Sequence, residues 1–135
     1  MRALVLVALA LLLAAPASAV EPIRAKLTTS TPTPLVDQPW RYTLTVKGAT
    51  GAPLRARAKL QLLLGETVVG CWRAGAMVQC FSQTAGDWVT FKGKRTGVLR
   101  FPAQSLGVKL TFQAIVKAQR QTRKLRAPIT VKPAS

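Results

Sequence analysis

From Ile23 onward, apolar and polar residues alternate with a period of two, and no later window carries an apolar stripe at helical spacing. That period is what a half-buried strand needs, because successive side chains leave a strand on opposite faces. Ile23, Ala25 and Leu27 alternate with Arg24, Lys26 and Thr28, and the run Thr31-Pro32-Thr33-Pro34 then breaks the pairing, since proline has no amide hydrogen. Trp40, Tyr42, Leu44 and Val46 form the apolar face of a second strand, and Gly48 to Pro53 end it. In a third, Leu54, Ala56, Ala58, Leu60 and Leu62 face one way while Arg55, Arg57, Lys59 and Gln61 face the other, up to a turn at Gly65-Glu66. A fourth sets Val108, Leu110, Phe112, Ala114 and Val116 against Lys109, Thr111, Gln113 and Lys117, and reverses at Gln119 to Thr122 into Leu125 to Val131. Weaker strand candidates cover 67–73, 77–82, 88–92 and 98–101. About seven to nine short antiparallel strands with closely spaced turn signals predict an all-β chain, a single immunoglobulin-like sandwich. An open barrel is the structural alternative.

Two stretches carry a family resemblance: Tyr42-Thr43-Leu44-Thr45-Val46-Lys47 running to Gly51-Ala52-Pro53-Leu54, and Phe112-Gln113-Ala114 followed by Ile129-Thr130-Val131-Lys132-Pro133. In them the chain resembles bacterial immunoglobulin-like domains of the invasin and fibronectin type III group. The resemblance implies a non-catalytic spacer, adhesion or carbohydrate-associated role. The chain departs from antibody-type domains in lacking two distant cysteines that would bridge the sheets.

Ahead of this domain, Met1-Arg2 precedes an apolar run from Ala3 to Ala15, then Pro16 and the small residues Ala17-Ser18-Ala19. The run falls short of the ~20 residues of a membrane-spanning helix and matches a signal-peptide core. The expectation is a signal peptide over 1–19, cleaved after Ala19, and one domain over 20–135, secreted or extracytoplasmic and associated with the cell envelope. A retained N-terminal anchor is the alternative. No other segment is expected to span a membrane.

In an oxidising compartment the two cysteines, Cys71 and Cys80, are expected to pair. Gly75-Ala76 lies midway between them and suits a type II′ hairpin turn, whose register would set Cys71 directly opposite Cys80 with Cα atoms ~4.5 Å apart. Such a hairpin either staples the fold or presents Trp72, Arg73 and Met77 as a recognition tip.

The chain has no histidine, which removes Ser-His and Cys-His catalysis and the commonest metal ligand. Glu21, Asp37, Glu66 and Asp87 fall at turns or ends rather than as a catalytic pair, and Ser105 with Lys109 has only proximity to suggest a dyad. No enzyme, metal or cofactor is expected. What remains is charge: 20 Lys and Arg against 4 acids give a formal +16. Alternation places Arg55, Arg57 and Lys59 on one outward face. Lys117, Arg120, Arg123, Lys124, Arg126 and Lys132 crowd the final hairpin. If the two elements are neighbours, they form a basic surface for anionic cell-wall polymer or a membrane surface. A merely solubilising charge is the competing reading. Sequence-specific nucleic-acid binding is not expected, because most aromatic residues fall on inward positions. The alternative function is a secreted protein-interaction module, adhesin-like or inhibitor-like, that uses the Cys71–Cys80 tip.

Overall fold

The computed structural model describes residues 21–134, so the signal peptide and its cleavage site lie outside the described residues. Nine strands form: β1 Arg24–Thr29, β2 Trp40–Lys47, β3 Arg55–Leu64, β4 Thr67–Arg73, β5 Ala76–Gln79, β6 Trp88–Lys92, β7 Lys94–Leu99, β8 Lys109–Ala118 and β9 Gln121–Thr130. They build two antiparallel sheets. The small sheet has the order β1-β2-β7, and the large one β5-β4-β3-β8-β9 with β6 also paired to β3. β6 lies along Arg55–Lys59 of β3 and β4 along Gln61–Leu64, so the two share one edge of that strand. The architecture is an immunoglobulin-like sandwich.

The alternating residues set the layers. Trp40, Tyr42, Leu44 and Val46 from the small sheet meet Ala56, Ala58, Leu60, Phe112, Ala114 and Val116 from the large one, all buried. Trp40 packs edge-on against Phe101 and Phe112, with ring centroids 5.5 and 5.2 Å away, and its indole N–H donates to the Thr31 carbonyl at 2.7 Å. That bond satisfies the polar end of a buried ring, which would otherwise cost stability.

The proline-rich crossing after β1 is expected to interrupt pairing, yet it pairs on its acceptor side. Thr130 and Lys132 donate to the carbonyls of Pro32 and Pro34, and Val36 donates to Lys132. Proline lacks a donor but keeps its acceptor, so this segment runs beside the end of β9. Of the weaker strand candidates, 67–73 and 88–92 match β4 and β6. The stretch 77–82 shortens to β5, and 98–101 moves back to β7, which begins directly after Gly93.

Candidate polyanion-binding face

The outward side chains of the large sheet fall into rows fixed by strand register. In the first row Arg55 stands opposite Lys92; in the next Arg57 lies between Thr90 and Lys117; in the third Lys59 lies between Trp88 and Ile115, with Lys124 beyond. The β8–β9 hairpin therefore does lie beside β3. Arg57, Lys59 and Lys117 each place a cation 4.7–5.0 Å from the centre of the Trp88 ring. Like charges directly opposite across strands repel, and Arg55 with Lys92 and Arg57 with Lys117 are two such pairs. A cation over an indole face is attracted by the ring quadrupole, which offsets part of that repulsion. At the end of this group, Arg55, Arg57, Lys117 and Arg120 line a shallow depression of about 550 Å³.

Beyond the third row the same face becomes closed. Gln61, fully buried, donates to the carbonyls of Gln83 and Ala85 at 3.0 and 2.9 Å. Gln113 donates to Gln61, Arg126 donates to Gln113, and the Arg126 guanidinium holds both oxygens of Glu66 at 3.0 Å. Arg126 thereby keeps the Glu66 carboxyl below its usual range, with Lys124 adding a smaller pull. The loop after β5 is thus tied down over the sheet, covering a second small core of Leu63, Val68, Cys71, Cys80 and Ala85. Lys59 joins this strap by donating to the Thr84 carbonyl at 2.7 Å. Gly86, at φ +121, lies so close above Lys59 that a Cβ would stand 3.1 Å from its Cγ. A side chain there is strained by the backbone conformation and needs the Lys59 stem to give way by a few tenths of an ångström.

Several expected contacts are placed differently. Arg123 faces away from the basic rows, because it stands opposite the inward Val116, and its guanidinium donates to Gln121. Arg120, by contrast, sits in the expected turn, where Gln119 and Arg120 both take positive φ, 48 and 61, and lines the depression with Arg55, Arg57 and Lys117. Arg126 lies on the outer face but is engaged by Glu66. Cys71 and Cys80 are bonded with Cα atoms 5.7 Å apart, but the expected register is wrong. The turn residues are Ala74 and Gly75, φ 49 and 83, so Cys71 stands opposite Val78 and the bridge runs diagonally. The shift preserves parity, so both sulfurs remain on one face. Asp87 fixes it by accepting the Ala74 N–H at 2.9 Å while its own N–H donates to Trp72. In the hairpin Trp72 and Met77 are a cross-strand pair, half-buried against the main core, and Arg73 is exposed. Sequence reasoning also passed over Trp88 as a site residue. Its signal was available, since Trp88, Thr90 and Lys92 alternate in step with the basic positions of β3.

No family model matches the sequence, and no curated protein matches it either. Solved structures do. The CARDB domain of a Pyrococcus furiosus protein, crystallised with di-metal ions, superposes with a TM-score of 0.50 at 10% identity, over 83% of this chain and 89% of that one. The likeness is one of fold. It agrees with the bacterial immunoglobulin-like resemblance of the sequence. A DUF4466 family protein from Parabacteroides merdae matches at 13% identity and TM-score 0.46, over 80% of this chain. The sporulation control protein Spo0M from Bacillus subtilis matches at 12% and 0.43, over 82% of it. The matched parts are 44% and 49% of those two chains. The disulfide fits an extracytoplasmic environment, and among the described residues no helix is long and apolar enough to cross a membrane.

Proposed function

We propose that the domain is a non-catalytic extracytoplasmic module that holds anionic cell-envelope polymer, or an anionic membrane surface, through the basic half of the large sheet's outer face. The observation that carries this reading is the group of Arg57, Lys59 and Lys117 around Trp88, continued along the sheet by Arg55, Lys92 and Lys124, with like charges directly opposed at Arg55–Lys92 and Arg57–Lys117. Such a group is under repulsion that a bound polyanion relieves. Binding releases counterions from the polymer and is therefore salt-sensitive. Because the face is a flat strand array with an open depression, it suits an extended polymer or a headgroup layer rather than an enclosed small molecule. Selection rests on charge density, not on sequence reading, so DNA binds at low salt only as a generic polyanion. The alternative, protein recognition by the hairpin tip, has Arg73 exposed but only the outer parts of the half-buried Trp72 and Met77 to offer.

Trp88 supplies the test. Titration of the protein with purified anionic cell-wall polymer at low salt should change its tryptophan emission, salt should reverse the change, and Trp88→Phe should remove it. Unchanged emission with wall polymer, anionic vesicles and DNA alike would dispose of the proposal.

A further inference from the structure

The outer face of the small sheet repeats the pattern of the large one. Arg24 stands directly opposite Lys47, Thr45 has Lys26 on one side and Lys94 on the other, and Arg41 follows further along β2. All five cations are exposed. Thr28, Thr43 and Thr96 continue the face as a row of hydroxyls, with Thr43 and Thr96 3.4 Å apart, and no acid lies among these outward positions. The described acids are elsewhere: Glu66 pairs with Arg126, Asp87 holds the Ala74 amide, and Glu21 and Asp37 precede β1 and β2.

The two sheets turn their outer faces in opposite directions. Sheets in such sandwiches stack ~10 Å apart, and long side chains on both sides add to that separation. It exceeds the screening length of ~8 Å at physiological ionic strength, so an anion on one face does not neutralise the other.

We infer that the small sheet is a second polyanion-binding face, and that the single domain therefore bridges two phosphate-bearing partners, one on each side. This rests on the large sheet binding polyanion as proposed above. The shared ligand chemistry is a dense phosphodiester or phosphate array, supplied by lipid headgroups or by a wall polymer. Exposed threonine hydroxyls between the cations add donors for phosphate oxygens.

The test separates binding from bridging. Phosphatidylglycerol-containing vesicles are mixed with the protein at low salt; sedimentation reads bound protein, and light scattering reads vesicle clustering. Soluble phosphodiester polymer, scored by its cross-linking into larger particles, forms the parallel arm, and clustering in one arm alone identifies the source. The wild type should bind and cluster. The variant Arg24→Gln, Lys47→Gln, Lys94→Gln should bind within about tenfold of the wild type yet lose clustering, as expected when one of two linked sites is removed. A control with the same loss of charge, Arg73→Gln, Arg100→Gln, Lys132→Gln, should cluster normally. Failure of the wild type to bind at all overturns the first reading. Binding without clustering in both arms, or clustering by the small-sheet variant equal to the wild type, overturns this one. So does a wild-type dimer in free solution that the small-sheet substitutions abolish.

Discussion

Tyr42 is fully buried in the core, and Gly97 stands opposite it where β7 pairs with β2. A Cβ at Gly97 would collide with the Tyr42 ring, which has no room to retreat. Gly97→Ala should lower stability by about 1–3 kcal/mol, read as a reduced urea midpoint at unchanged slope. Gln61 is the polar counterpart. Gln61→Ala strands the Gln83 and Ala85 carbonyls and leaves Gln113 without its acceptor, at a cost of about 1–3 kcal/mol. Glu66 gives a pH signature. Arg126 holds its carboxyl below the ordinary value of 4.5, so the ion pair stabilises the fold above that pH and its contribution fades as pH falls through the lowered value. The stability difference between the wild type and Glu66→Gln should therefore be present at neutral pH and vanish in strong acid; a difference independent of pH would contradict the pairing. Alternation already put Gln61, Gln113 and Lys59 on one face, but it did not show that Gln61 and Gln113 are buried. Burial there comes from a loop some twenty residues away in sequence, and period-two patterning carries no information about what covers a face.

At the scale of elements, β2, β3 and β8 were legible because each turns an alternating apolar set into the core. The Cys71–Cys80 hairpin was not. Glycine position alone favours Gly75 as the first turn residue, whereas Asp87, from beyond the hairpin, selects the turn one residue earlier. Replacing both cysteines with alanine should cost about 2–3 kcal/mol by loss of a short loop closure. Because the bridge sits under the strap beside Gln61, hydrogen exchange should rise first across 80–87 in that variant, with the β2–β7 ladder still protected. The β8–β9 turn is a second place where the backbone is constrained, since neither Gln119 nor Arg120 is a glycine although both take positive φ. Gln119→Asn with Arg120→Gly should stabilise the hairpin by about 1 kcal/mol, as the left-handed conformation then costs less.

For the molecule as a whole, sequence indicated a sandwich and a basic strand but not which strands adjoin. β8 lies between β3 and β9, a placement that sets residues 48 to 60 positions apart in sequence, Leu63 with Thr111 and Arg57 with Lys117 at the extremes, a single strand spacing from each other. That adjacency brings Lys117 and Lys124 into line with Arg57 and Lys59, and it lets β6 deliver Trp88 from the other side. Arg123 shows the limit of counting charges along a hairpin, because its parity sends it to the other face. The account stands on the large sheet's basic rows acting together as a binding surface. Its most direct test is the affinity of the protein for anionic wall polymer across a salt series, beside the variant Arg55→Gln, Arg57→Gln, Lys59→Gln with its folding verified. The account predicts steep salt dependence for the wild type, and for the variant weaker binding at low salt with a log–log slope shallower by about one per cation removed. Equal affinity and equal slope for the two proteins would contradict it.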